Sequence, residues 1–166
     1  MARNNKGLGA PPERPVTKEK AGSAKAKRTA ARLSAVQVLY QMRLNNQDAK
    51  SALKDFADHR IGFILDGDAF VPPDREMLDE IVNGVVERWT DIDEIVTKAL
   101  AEGKKGEVEA LLQSILRAGV YELLAHGKTD TGIIINDYLN VTNGFYDGSE
   151  PKIVNAILDK VAKAVR

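Results

Sequence analysis

The chain contains no cysteine, which excludes disulfides, thiol nucleophiles and every cysteine-ligated zinc site. Its two histidines, His59 and His126, stand far apart in sequence. Neither a histidine-centred triad nor a metal site is expected, and no cofactor is implied. Aromatic residues make up 5% of the chain, too few for the stacking platform of a single-strand binder. No apolar run reaches the roughly 18 residues of a transmembrane helix. The opening Met-Ala-Arg-Asn-Asn-Lys leads into no apolar stretch of the secretory type. These absences point to a cytoplasmic protein with no membrane partner.

Motifs of catalysis are missing as well. Gly127-Lys128-Thr129 resembles the end of a phosphate-binding loop, but residue 122, where another glycine is required, is Glu, and a helix rather than a strand precedes it. Gly7-Leu-Gly9 lacks any strand–helix context, Asp66-Gly-Asp68 lacks calcium-loop spacing, and no Gly-x-Ser-x-Gly elbow occurs. The pairs Asp91/Asp93 and Asp55/Asp58 read as helix-capping or solvated carboxylates. Nothing assembles a nucleophile, a base and an oxyanion site, so the chain is not expected to be an enzyme.

What is present is charge asymmetry and helical periodicity. The net charge is zero, yet residues 1–27 carry seven Lys/Arg against two Glu, leaving an acidic remainder. Such a division suggests two surfaces with different partners. The first 26 residues, rich in Pro and Gly and poor in large apolar side chains, read as a disordered basic tail. From there on the chain reads as helix after helix, a single all-helical domain over 27–166.

The first helix is expected from about Lys27 to Leu44, with Leu33, Val36, Leu39, Tyr40 and Leu44 inward. A second runs from about Asp48 to Asp58, followed by a loop, Asp66–Pro73. Asp74 caps a third helix bearing Leu78, Ile81, Val82, Val85 and Trp89. Thr90-Asp-Ile-Asp93 resembles a capping box for a fourth, and Gly103–Gly106 forms a turn. The widest apolar stripe, Val108 to Leu124, marks the central helix of a bundle. Thr131 to Phe145 favours a helix over a strand, because Ile134, Tyr138, Val141 and Phe145 keep helical spacing. A loop over Asn143–Glu150 precedes a last helix opened by Pro151. The expected fold is all-α: about seven helices in two packed small bundles, 27–89 and 90–166.

Positive charge at a helix start opposes the helix dipole. Arg28 and Arg32, one turn apart and about 40° apart around the axis, therefore call for an anion. A phosphate or an exposed base would satisfy them; the alternative is a helix start that pairs with acidic residues elsewhere. Gln37 is a polar neighbour on another side of the helix.

Four segments in order resemble the NusB family of transcription antitermination factors. They are Arg28-x3-Arg32-x3-Val36-Gln37-x-Leu39-Tyr40, Ile115-Leu116-Arg117-x3-Tyr121-Glu122-Leu123, Ile135-Asn136-Asp137, and Lys152-Ile153-Val154-Asn155-Ala156-x-Leu158-Asp159-Lys160. The resemblance implies an all-α fold that binds boxA-like single-stranded RNA jointly with the small-subunit ribosomal protein NusE. The assembly serves the RNA polymerase antitermination complex in ribosomal RNA operons. It implies RNA contacts from Lys27, Arg28, Arg32, Gln37, Lys152 and Asn155, and partner contacts from Tyr40, Leu44, Asp147 and Glu150. Some proteins of this fold pair with themselves, so a homodimer is a further partner state. Ile153 and Ala156 depart from the family's usual Phe and Gly, and Ser149 stands where an acidic residue is usual. The competing reading is a helical protein–protein adaptor without RNA binding. A third, the helical module attached to some RNA methyltransferases, lacks any glycine-rich cofactor loop here.

Overall fold

The computed structural model describes residues 23–59, 63–65, 69–103, 105–106 and 108–166. Among these lie seven helices: α1 (Ala24–Asn45), α2 (Ala49–His59), α3 (Arg75–Glu87), α4 (Trp89–Glu102), α5 (Ala110–Ala125), α6 (Thr131–Phe145) and α7 (Glu150–Val165). The all-α expectation holds. One addition falls within the expected loop before α3: Ala69–Val71 (β2) pairs antiparallel with Phe63–Leu65 (β1), with Ile64 opposite Phe70.

Local chemistry explains most helix starts. Ser23 caps α1, its Oγ accepting from the Ala26 N–H at 3.3 Å, so the helix begins three residues before Lys27. Of the tail expected over 1–26, residues 24–26 are helical and residues 1–22 lie outside the described part. Asp48 Oδ1 accepts from the Ser51 N–H at 2.7 Å, and Asp74 Oδ1 from the Met77 N–H at 3.0 Å, as expected for α3. Asp130 caps α6 through the Gly132 N–H, and Pro151 sits in the first turn of α7. Asn46 takes the left-handed conformation, φ 52°, at the end of α1, where asparagine is tolerated.

The capping box over Thr90–Asp93 does not form. The α4 helix already begins at Trp89, with Arg88 as a cap that makes no side-chain bond. Trp89 is 39% exposed rather than buried, because the chain turns at Arg88 and carries it off the inward face of α3.

The α5 helix is the hub, as its apolar stripe predicts. Every residue from Ser114 to Leu123 is buried, and α1, α3, α4, α6 and α7 all pack on it. One continuous core draws side chains from all seven helices. Two glycines permit the closest approaches. A Cβ on Gly84 of α3 would lie 2.3 Å from the Tyr121 ring, and one on Gly119 would lie 2.9 Å from Leu158 of α7.

Candidate nucleic-acid and partner interface

The two arginines that open α1 part company in three dimensions. Arg28 is exposed and Lys27 half-buried. Arg32 is 3% exposed. Its Nε and Nη2 donate to the two oxygens of Glu122 at 2.8 and 2.9 Å, and its Nη1 donates to Asp137 Oδ2 at 2.6 Å. The Thr29 hydroxyl donates to the same aspartate at 3.1 Å, and the Tyr138 hydroxyl donates to Glu122 at 2.5 Å. The expectation that Arg32 touches RNA is therefore corrected. Its guanidinium is committed to carboxylates inside the bundle, the alternative that the sequence left open. The reason is its direction: α5 and α6 close over that flank of α1, and Arg28 escapes because it lies one turn nearer the free end.

This bidentate pair with a third bond is the favourable geometry for a buried arginine. Burial works to lower the Arg32 pKa, but the Glu122 bond and charge overcome it and raise it. Burial likewise works to raise the Glu122 carboxyl; hydrogen bonds from His126 and Arg32 outweigh it and hold it below the ordinary carboxylate value. Glu122 is thus ionised although fully buried.

The chain of polar contacts continues outward. His126 Nδ1 lies 2.9 Å from Glu122 Oε1, and its Nε2 lies 2.7 Å from Glu80 Oε2 of α3. The Tyr121 hydroxyl donates to the same Glu80 oxygen. The bond to Glu122 is the largest cause of a raised His126 pKa, against opposing burial, with Glu80 adding to it. A group whose pKa rises on folding stabilises most below its unfolded value, about 6.5, and loses that contribution as pH climbs through the folded value. Stability should therefore fall on raising pH above about 6.5. His126→Gln should flatten that slope in urea unfolding followed across this range; an unchanged slope would assign it to another group.

The second half of α1 builds a different feature. Gln37, Tyr40, Gln41 and Leu44 line a groove of about 670 Å³ with Leu111 of α5 and Phe145 of α6. Leu44 is 62% and Phe145 37% exposed, and Gln37 Oε1 is buried without a partner among the described residues. Leu44 and Phe145 fit inward stripes in the sequence, but both stand in the last turn of their own helices and open onto the groove. Burial, a bond to Glu109, and the neighbouring Glu150 and Tyr40 all raise the Tyr146 pKa. Asp147, in the turn from α6 into α7, is exposed and Glu150 half-buried, and Lys152 and Asn155 are exposed on α7.

Of the expected site residues, the structure thus brings Gln37, Tyr40 and Leu44 into one groove. It does not bring Arg28 to them. Nine residues separate Arg28 from Gln37, which is about 14 Å along the axis and half a rotation around it. Glu122 and Asp137 were missed as partners of Arg32, and Tyr138 as a donor to Glu122. A signal existed: Glu122 and Asp137 stand inside two of the four family-like segments, and both meet the arginine of the first.

A family model described as the NusB family matches residues 29–163. The chain belongs to the NusB family. The transcription antitermination protein NusB of Maricaulis maris is 39% identical over 140 residues, covering 84% of this chain and 88% of that relative. The NusB of Sphingopyxis alaskensis is 39% identical over 140 residues, covering 84% of this chain and 94% of its own length. Among solved structures, a complex of antitermination factors NusB and NusE with double-stranded RNA contains a chain of the same fold. It has a TM-score of 0.68 and 24% identity, and the match covers 83% of this chain and 97% of that one. Like its NusB relatives, the chain is a transcription antitermination factor and not an enzyme. No helix among the described residues is long and apolar enough to cross a membrane.

Proposed function

We propose that this NusB-family chain binds boxA-like RNA together with a NusE-type ribosomal protein. In this reading it works in the cytoplasm within an RNA polymerase antitermination complex and promotes read-through of ribosomal RNA operons. The observation that carries the reading is the shared fold with a NusB that was solved bound to NusE and RNA. Exposed cations at the start of α1 and of α7 support it.

In this proposal Arg28 neutralises phosphate, with Lys27, Lys152 and Asn155 adding charge and hydrogen bonds, and Gln37 borders the RNA from the groove. Tyr40, Leu44, Asp147 and Glu150 face the protein partner. Arg32 is a positioning residue: it fixes the start of α1 against α5 and α6, and Arg28 rides on that start. A homodimer covering the groove would compete with the partner, and a rise in mass lost on adding the ribosomal protein would reveal it.

The test is RNA titration by fluorescence anisotropy at several salt concentrations, with and without the ribosomal protein. Arg28→Ala with Lys152→Ala should weaken binding and lower the slope of log K against log salt by about 1.4, which is 0.7 per lost phosphate contact. An unchanged affinity and slope would overturn this assignment. No preference for boxA-like over scrambled RNA, with the protein partner still bound, would favour the adaptor reading.

A further inference from the structure

A second cleft, of about 560 Å³, opens between the end of α1, α4 and the start of α5. Its floor is an unusual pair. Arg117 is 6% exposed, its guanidinium carbon lies 4.2 Å from the centre of the Trp89 ring, and its Nη2 donates to Asp93 at 2.7 Å. Its Nε is buried with no partner among the described residues. Gln113 lies beside it, donating from Nε2 to the Val108 carbonyl at 2.9 Å while its Oε1 is likewise buried and unpartnered. Arg43 and Lys105 line the cleft as well, and both are exposed.

Each feature asks for something, and the demands agree. Arg117 Nε and Gln113 Oε1 are sealed from solvent, so contact with a ligand falls to the exposed groups of the cleft. Trp89 keeps 39% of its surface exposed although Arg117 covers one face. An indole backed by a guanidinium is a surface on which a base stacks. Three cations face one carboxylate, Asp93, and that carboxylate is already paired with Arg117. The volume falls within the range of small-ligand sites. An acidic peptide would use the cations but leave the indole unanswered.

We propose that this cleft binds one nucleotide of a single-stranded RNA. The base stacks on the face of Trp89 that Arg117 leaves open, and Arg43 and Lys105 neutralise the phosphates on either side of it. The site is separate from the α1 start: Arg43 lies fifteen residues beyond Arg28, about 22 Å along the helix. It therefore does not depend on boxA recognition there.

Trp89 is the only tryptophan of the chain, so its fluorescence reports on this cleft alone. Titrating a short oligouridylate into the full chain should quench it saturably and less so at higher salt. Arg43→Ala with Lys105→Ala, both exposed and so harmless to the fold, should weaken the midpoint roughly tenfold. The salt slope should drop by about 1.4. Arg28→Ala with Lys152→Ala should leave the quenching midpoint where it was, even if boxA binding read by anisotropy disappears. No quenching, quenching indifferent to the Arg43 and Lys105 changes, or quenching abolished by the Arg28 and Lys152 changes would each overturn the proposal. Displacement of the oligonucleotide by polyglutamate at equal charge concentration would do so as well, marking an acidic-peptide site.

Discussion

Arg32→Ala should cost about 3–5 kcal/mol of folding stability, the range for removing one partner of a buried ion pair. Glu122 is fully buried and relies on Arg32 for two hydrogen bonds and on charge for its ionised state. Without the guanidinium, Tyr138 and His126 still bond to it, but its charge faces a low-dielectric interior with only the histidine to offset it. Asp137 loses its shortest bond as well. Most of the expected loss is this stranded charge rather than the net worth of the pair. The same logic makes a second variant informative. Arg32→Met together with Glu122→Gln and Asp137→Asn removes the guanidinium and both carboxylates it pairs with, and should recover much of the loss, since buried ion groups replaced as a unit are often nearly neutral. Urea midpoints with unchanged m-values would measure both. A single-variant loss under about 1 kcal/mol would mean that water reaches Glu122 and that Arg32 does not anchor α1.

Gly84→Ala should destabilise by about 1–3 kcal/mol, the usual cost of overpacking a close contact. Helix propensity alone points the other way, since alanine gains about 1 kcal/mol over glycine inside a helix. The clash decides the sign. The added carbon would sit 2.3 Å from two ring carbons of Tyr121. That ring cannot swing aside freely: its hydroxyl donates to Glu80 at 2.5 Å, and its edge meets His126 with centroids 5.9 Å apart. In a Tyr121→Ala background the wall is gone and the same substitution should turn stabilising. A double-mutant cycle that finds the two changes additive would refute the contact as the cause.

The helices were legible because each announces itself locally. Apolar residues at helical spacing gave α5 and α7, Asp74 gave the start of α3, and Pro151 the start of α7. Trp89 and the Thr90–Asp93 box misled, for the same reason in both cases. Apolar spacing continues through Arg88, whereas the chain turns there, and no residue at that point signals a break. The β1–β2 pairing was illegible because its strands are three residues each, too short for a period of two to register. In the candidate site, Leu44 and Phe145 fitted inward stripes, yet a stripe shows only that residues share a face. It does not show which residues at the end of a helix the rest of the bundle covers.

The arginines at the start of α1 mark the boundary between the two kinds of information. By itself the sequence determined that they lie one turn apart on one flank, that their charge opposes the helix dipole, and that they need an anion. Which anion each receives was decided by tertiary structure. Arg32 meets Glu122 and Asp137, 90 and 105 residues away in the chain, because α5 and α6 pack over its part of the flank. Arg28, one turn earlier, lies beyond the edge of that packing and keeps its charge in solvent. Local periodicity fixes direction around a helix, but burial depends on the length of the neighbouring helices, and only the assembled bundle sets that.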